Sequence, residues 1–458
     1  MGALLENRTF AEIAIGDSAS LTRVFAREDL DFFALMTGDA GPSLVDAPNG
    51  DALAAGAVGH GLFTGGLIAG VLGTELPGPG TRYLEQSLKF LLAVAIGDRI
   101  TATVTVKSKE NGRVLFDCAC VNQAGARVAE GQALVEAPRE KLRLPRLELP
   151  DVQLSRHQRF RALLARVSGH PPLATAIAYP CDANAIGAAV EAAKAGLIAP
   201  ILVGPKARIV AAAAAAQMDI APYALVDAPD SEAAAAEAVA LVTKGKAQLL
   251  MKGSLHTDEL LHAVLSPASN LRTERRLSHV YLFDVPSYPK PLLITDAAVN
   301  IAPDVEEKRD IIQNAIDLAH VMGIANPKVA LLSAVETVNP KIKSTLDAAA
   351  LCKMNERGQI TGGVLDGPLA FDNAISPAAA AEKGIVSPVA GQADILVVPD
   401  LEAGNMLAKQ LSFFAGADAA GVVLGARVPI ILTSRADAER TRMASCAVAV
   451  LIAERSKA

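Results

Sequence analysis

Apolar and polar positions follow two different rhythms along this chain. In the N-terminal part they alternate one for one, in Ile100-Thr-Ala-Thr-Val-Thr-Val106, then from Val114 to Val121, then from Arg127 to Val135. A period of two predicts strands with one buried face. The connection Lys107-Ser-Lys-Glu-Asn-Gly112 ends in Asn-Gly, which predicts a hairpin turn, and Gln123-Ala-Gly125 predicts the next bend. One helix-like apolar stretch, Gly61 to Leu72, precedes these strands. Residues 1–138 are therefore expected to form an α+β domain, an antiparallel sheet with a single helix.

From Ser155 onward short apolar runs alternate with alanine-rich helical stretches. Thr175 to Tyr179 and Pro200 to Gly204 read as strands; Asp182 to Ala195, with Asp182 as its cap, reads as a helix, as do Ile209 to Gln217 and Ser231 to Thr243. This alternation predicts an α/β module over residues 154–458. Between the two rhythms, Pro138-Arg-Glu-Lys-Leu-Arg-Leu-Pro-Arg-Leu-Glu-Leu-Pro150 mixes charges, leucines and three prolines. That predicts a semi-extended linker at 139–153.

Two strands of the second module stop on clustered polar groups. Pro291-Leu-Leu-Ile-Thr295 runs into Asp296 and Asn300, and Val428-Pro-Ile-Ile-Leu-Thr433 runs into Ser434, Arg435 and Asp437. A third, Gln248 to Met251, ends at Lys252-Gly253. Strand ends are where open α/β sheets build their sites, so these are expected to meet in one cleft for an anionic substrate. Arg435 has the planar fork that grips phosphate oxygens in pairs, Ser434 can donate beside it, and Lys252 adds a second cation.

Composition narrows the partners. The chain carries a net charge of −6, all from residues 1–140, where 11 Lys and Arg face 17 Asp and Glu. No basic run exceeds the pair Arg275-Arg276, so a nucleic-acid partner is not expected. With no Trp and 4% aromatic residues, the cores must be aliphatic. The five cysteines lack a CxxC pair, which argues against a disulfide framework or a zinc site and for a reducing cytoplasm. The opening residues lack a signal-peptide pattern, and apolar stretches such as Leu62 to Gly73 fall short of the ~20 residues of a membrane span. No metal-ligand spacing and no GxGxxG or GxxxxGK[ST] loop is present, so no metal or nucleotide cofactor is expected.

From Leu249 to Leu451 the chain resembles the phosphate acetyl/butyryltransferase family. The blocks Met251-Lys-Gly-Ser254, Thr295-Asp-Ala-Ala-Val-Asn300, Ala330-Leu-Leu-Ser-Ala-Val-Glu336, Asp366-Gly-Pro-Leu-Ala-Phe-Asp-Asn-Ala374, Ala393-Asp-Ile-Leu-Val-Val-Pro-Asp400, Glu402-Ala-Gly-Asn405 and Thr433-Ser-Arg435 follow one another in that family's order. The resemblance implies two α/β lobes with mostly parallel sheets flanking a cleft, the first from residues 154–285 plus 424–458 and the second from 286–423. It implies acyl transfer between CoA and phosphate, with acyl-CoA, phosphate and acyl phosphate as partners and CoA as substrate. Ser434 and Arg435 would be catalytic, while Lys252, Arg272 (in Asn270-Leu-Arg272), Thr295, Asp296 and Asn300 would bind substrate. The acetyltransferase branch places its catalytic aspartate six or seven residues past the serine; here Arg440 and Thr441 stand there. Asp437, with Glu439, is the nearest carboxylate and the candidate base, and this departure favours a butyryl-type or a weakly active enzyme over a standard acetyltransferase.

Residues 10–138 resemble MaoC-like enoyl-CoA hydratases, which have the hotdog fold, through Met36-Thr-Gly-Asp-Ala-Gly-Pro42, Gly59-His-Gly-Leu-Phe-Thr-Gly65, Leu76-Pro-Gly-Pro-Gly-Thr81, Gln86-Ser-Leu-Lys-Phe90 and Ile96-Gly-Asp98. The resemblance implies that Asp39 is catalytic and that His60 and Gly61 open the helix whose amides face the thioester. The family pattern Asp-x-Asn-Pro-x-His is broken here, Gly41 replacing the Asn and Leu44 the His. Leu44 can neither take nor give a proton. Two readings of this domain stay open: a degenerate acyl-CoA-binding or dimerising hotdog, and a hydratase with a rearranged site. For the whole chain the alternative to a phosphate acyltransferase is a non-catalytic acyl-CoA-sensing, oligomerising unit. Both families imply a homodimer or higher homo-oligomer.

Overall fold

The computed structural model describes residues 4–38, 58–59, 61–145, 157–433 and 437–455. They divide into two units, Met1–Leu154 and Ser155–Ala458.

In the first unit the strands Ser18–Val24, Arg99–Glu110, Arg113–Val121, Arg127–Glu136 and Arg82–Phe90 lie side by side in that order, all antiparallel. Ile100, Ala102, Val104 and Val106 point inward on alternate positions and pack with Leu67, Ile68, Val71 and Leu72 of the helix Leu62–Thr74. A sheet wrapped on one apolar helix is the hotdog arrangement. The first hairpin is tighter than expected. Ser108, Lys109 and Glu110 pair with Leu115, Val114 and Arg113, leaving only Asn111 (φ 53°) and Gly112 (φ 81°) to turn. Two successive positive φ values are what a primed turn needs.

The expected linker is in part structure. Arg143–Pro145 pairs antiparallel with Leu4–Glu6, and the buried Asn7 ties this ribbon down, its Nδ2 donating to the Glu140 carbonyl (2.9 Å) and its Oδ1 accepting from Leu142 N–H (2.9 Å). Lys141 and Arg143 add ion pairs to Glu6. Alternating charge and leucine, which suggested an open spacer, here suits a two-stranded edge with solvated side chains.

The second unit holds one sheet of eleven strands. In spatial order these are Ala224–Asp227, Ile198–Gly204, Leu173–Ala178, Leu249–Lys252, Ile430–Ile431, Asp418–Leu424, Ser278–Asp284, Leu292–Thr295, Ile395–Val397, Lys328–Leu332 and Val364–Leu369. The first five are mutually parallel and so are the last four. Mostly parallel pairing was expected; the continuity was not. Asp418–Leu424 and Ser278–Asp284 join the two blocks through three antiparallel pairings, so the blocks run in opposite directions. Helix starts follow the expected chemistry, with Asp182 capping Ala183–Lys194 through Ala185 N–H (2.8 Å) and Asp304 capping Val305–Val321 through Glu307 N–H (2.9 Å). Among the described residues no helix is long and apolar enough to cross a membrane.

Candidate active site

Reversal at the sheet centre decides where each strand end opens. Met251, Ile431, Val422, Val280 and Thr295 form one row across the sheet. Lys252 lies one residue beyond it in one direction and Asp296 one residue beyond it in the other. The polar strand ends, expected to meet in one cleft, therefore face two hollows.

The first hollow has a volume of about 1000 Å³ and is lined by Lys252, Tyr281, Leu432 and Thr433, and by Leu401, Glu402, Asn405, Met406 and Lys409 of the helix Leu401–Phe413. Lys252 is only 8% exposed. It is delivered by a wholly buried strand that ends at Gly253, whose amide donates to the Ala178 carbonyl at 2.9 Å. A Cβ at Gly253 would sit 2.3 Å from that oxygen, so only glycine permits the approach. Thr433 is buried at the end of the strand leading to Ser434 and Arg435. Those two residues, like Asp39 and His60 of the first unit, lie outside the described residues. Gly61 is described, as the N-cap of Leu62–Thr74, where a Cβ would collide with the Phe90 ring at 2.7 Å.

The second hollow, of about 740 Å³, contains Arg272, Arg276 and Asn300 with Glu306, Glu307 and Arg309. Arg272 is exposed and bridges Ala426 through its backbone. The wall between the hollows is the turn after Thr295. Asp296 accepts from the amides of Ala298 (2.9 Å), Val299 (3.0 Å) and Asn300 (3.3 Å) and from Asn300 Nδ2 (2.5 Å). Asn300 Nδ2 also donates to the Leu277 carbonyl (2.8 Å), and its Oδ1 accepts from Arg276 Nε (2.5 Å). Thr295 spends its hydroxyl on the His279 carbonyl at 2.9 Å. These three side chains build the wall, and Arg272 sits on its far side from Lys252.

Ser278–Asp284, one of the two antiparallel strands at the middle of the sheet, was not among the elements expected from the sequence. His279, Tyr281 and Phe283 stand on one face of it at every second position, a spacing visible in the sequence; their burial was not. The His279 ring is fully buried, and among the described residues neither nitrogen completes a hydrogen bond of good geometry. Burial holds its pKa down at about 4, against the pull of the nearby Asp296 charge and the Leu432 backbone. Gly421 makes room for it, since a Cβ there would lie 2.9 Å from His279 Nε2. Tyr281 meets the His279 ring edge-on at 4.3 Å and 72°, with Phe283 at 5.4 Å on its other side. Burial, aided by the negative charge of Asp437, pushes the Tyr281 hydroxyl up to about 12. Asp437 thus acts electrostatically on the first hollow, just ahead of the helix Glu439–Arg455.

Comparison with known proteins places this geometry. A family model described as Phosphate acetyl/butaryl transferase matches residues 233–450. A phosphate acetyltransferase of Rhizobium meliloti is 62% identical over 300 residues, which is 66% of this chain and 95% of that protein. The chain belongs to the phosphate acetyl/butyryltransferase family. Another relative is a branched-chain phosphotransacylase from Enterococcus faecalis V583, whose crystal structure is 33% identical with a TM-score of 0.55, over 61% of this chain and 99% of that one. The N-terminal region is similar to the unliganded R-hydratase PhaJ1 from Pseudomonas aeruginosa, 35% identical over 33% of this chain and 100% of that one, with a TM-score of 0.32. This member of the family carries its phosphate acyltransferase region after an N-terminal hotdog unit.

Proposed function

We propose that the second unit transfers an acyl group, acetyl in the first instance, between CoA and phosphate in the hollow lined by Lys252, Tyr281 and Thr433. The observation that carries this reading is a buried cation and a buried hydroxyl at adjacent strand ends, opening on one cavity of about 1000 Å³, in a chain 62% identical over 300 residues to a phosphate acetyltransferase. Lys252, with Arg435 two residues past Thr433, neutralises the phosphate; Ser434 donates to the reacting oxygens; Asp437 takes the thiol proton. Cationic side chains and amides supply the charge stabilisation, so no metal or other cofactor is required. The hotdog unit binds acyl-CoA without hydrating it, because Leu44 leaves Asp39 without a proton-transfer partner. The enzyme works as a homo-oligomer in the cytoplasm.

The test is thioester formation from CoA and acetyl, butyryl or branched acyl phosphates, followed with and without a chelator. Turnover with acetyl phosphate in the chelator's presence is the expected result. No turnover with any acyl phosphate, together with retained acyl-CoA binding, would leave a sensing and oligomerising unit instead. Full loss on chelation, restored by a divalent ion, would overturn the metal-free reading.

A further inference from the structure

We infer that Tyr281 is a catalytic residue of this cleft, its hydroxyl donating the hydrogen bond that receives the oxyanion of the acyl carbonyl. The inference rests on the transfer reaction proposed above and deepens it.

Three observations converge on Tyr281. Its side chain lines the same hollow as Lys252 and Thr433. Its hydroxyl makes no hydrogen bond among the described residues and is not among the fully buried polar atoms, so it can donate to a molecule in the hollow. And its ring is held from both sides, by the buried His279 edge-on at 4.3 Å and by Phe283 at 5.4 Å, on a strand at the middle of the sheet. A donor fixed before substrate arrives needs no reorganisation when charge develops, which is the condition for a large effect on the barrier. It also stays protonated through the neutral range, since burial holds the phenol up at about 12.

The neighbouring charges say which substrate oxygen Tyr281 serves. Asp437 projects negative charge onto its hydroxyl, whereas Lys252, the buried one of the two lysines lining the hollow with Lys409, supplies positive charge at the strand end. A phosphate already carries its charge in the ground state and is better placed at Lys252. A carbonyl oxygen is neutral on arrival and becomes anionic only as the thiol proton leaves, which neutralises the carboxylate if Asp437 is the base. The thiolate sulfur forms a bond to the carbonyl carbon, and the carbonyl π pair moves onto oxygen beside Tyr281. That pair then returns as the bond from carbon to the phosphate oxygen breaks, phosphate leaving with its electron pair and taking up the proton released by the thiol.

The experiment compares wild type with Tyr281→Phe, which keeps the ring and its contacts. With acetyl phosphate and CoA, kcat should fall ~10² or more while both KM values move by less than about threefold, the signature of an interaction made only in the transition state. Tyr281→Leu keeps the volume apolar without the ring and should lose as much kcat as Tyr281→Phe; thermal unfolding of both variants checks that the fold survives. A kcat within about threefold of wild type in Tyr281→Phe, or a KM increase with kcat unchanged, would overturn the assignment. Failure of the wild type itself to turn over would sink the transfer reading instead, so the two outcomes are separable.

Discussion

In the N-terminal unit the alternating strands, the apolar helix and the Asn-Gly turn are all in place, yet Leu44 and Gly41 occupy the positions where the hydratase pattern has its His and Asn. In the second unit the strand-end polar residues persist, and a strand at the middle of the sheet carries a buried histidine and a cleft-facing tyrosine that the fold alone does not need. On the function proposed above, positions that make a fold and positions that run a reaction are different sets, lost or kept independently. A hotdog can shed its proton-transfer pair without touching Ile100, Val104 or Ile68, because those residues hold the sheet on the helix and nothing else.

The sharpest way to break this contrast is to restore the missing pair. Wild type should bind crotonyl-CoA without hydrating it, and Leu44→His with Gly41→Asn should raise hydration ~10² to 10⁴ above background beside Asp39, read as loss of the enoyl-thioester absorbance. Robust hydration by wild type that vanishes in Asp39→Ala would put both units on the same footing. Next in size is Arg435→Lys. Charge is kept but the paired fork is lost, so acyl transfer should drop ~10², and unchanged kinetics would remove Arg435 from the site.

A third measurement probes the buried histidine. Folded protein holds His279 near 4, below its ordinary 6.5, so the unfolded chain binds a proton that the native state refuses. Its contribution is absent above pH ~6.5, and stability should be lost as pH falls toward 4, by roughly 3 kcal/mol or less. Denaturant unfolding of wild type and His279→Phe across that window should show the smaller pH slope in the variant; equal slopes would mean that the ring is hydrated or paired. The smallest effect sharpens the comparison between units. Asn7→Ala removes two hydrogen bonds and should destabilise the N-terminal unit by ~1–3 kcal/mol, leaving the acyl-transfer rate unchanged.

Local chemistry was legible from the sequence and long-range pairing was not. Asp182 and Asp304 announce helix starts because a cap is a matter of three or four neighbouring residues, and Asn111-Gly112 announces its turn for the same reason. Strand direction at the sheet centre depends on which distant segments pair, so nothing near Lys252 or Asp296 reveals that their strands run oppositely and open on different hollows. The segment Ser278–Asp284 shows its ring residues at every second position, yet a core histidine that completes no hydrogen bond among the described residues is contrary to ordinary expectation, and only the packing exposes it.

The ribbon that pairs Leu4–Glu6 with Arg143–Pro145 gives the hotdog unit a mechanical character. Leu4 faces Pro145 across the register, so both ends of the unit leave through one doorway. Force drawing those ends apart would peel the ribbon one rung at a time instead of shearing all its hydrogen bonds together. The five-stranded sheet behind it is loaded only after the last rung, at Glu6 and Arg143, has opened. The ribbon is a fuse: it gives first under tension and lets the sheet and its helix keep their shape.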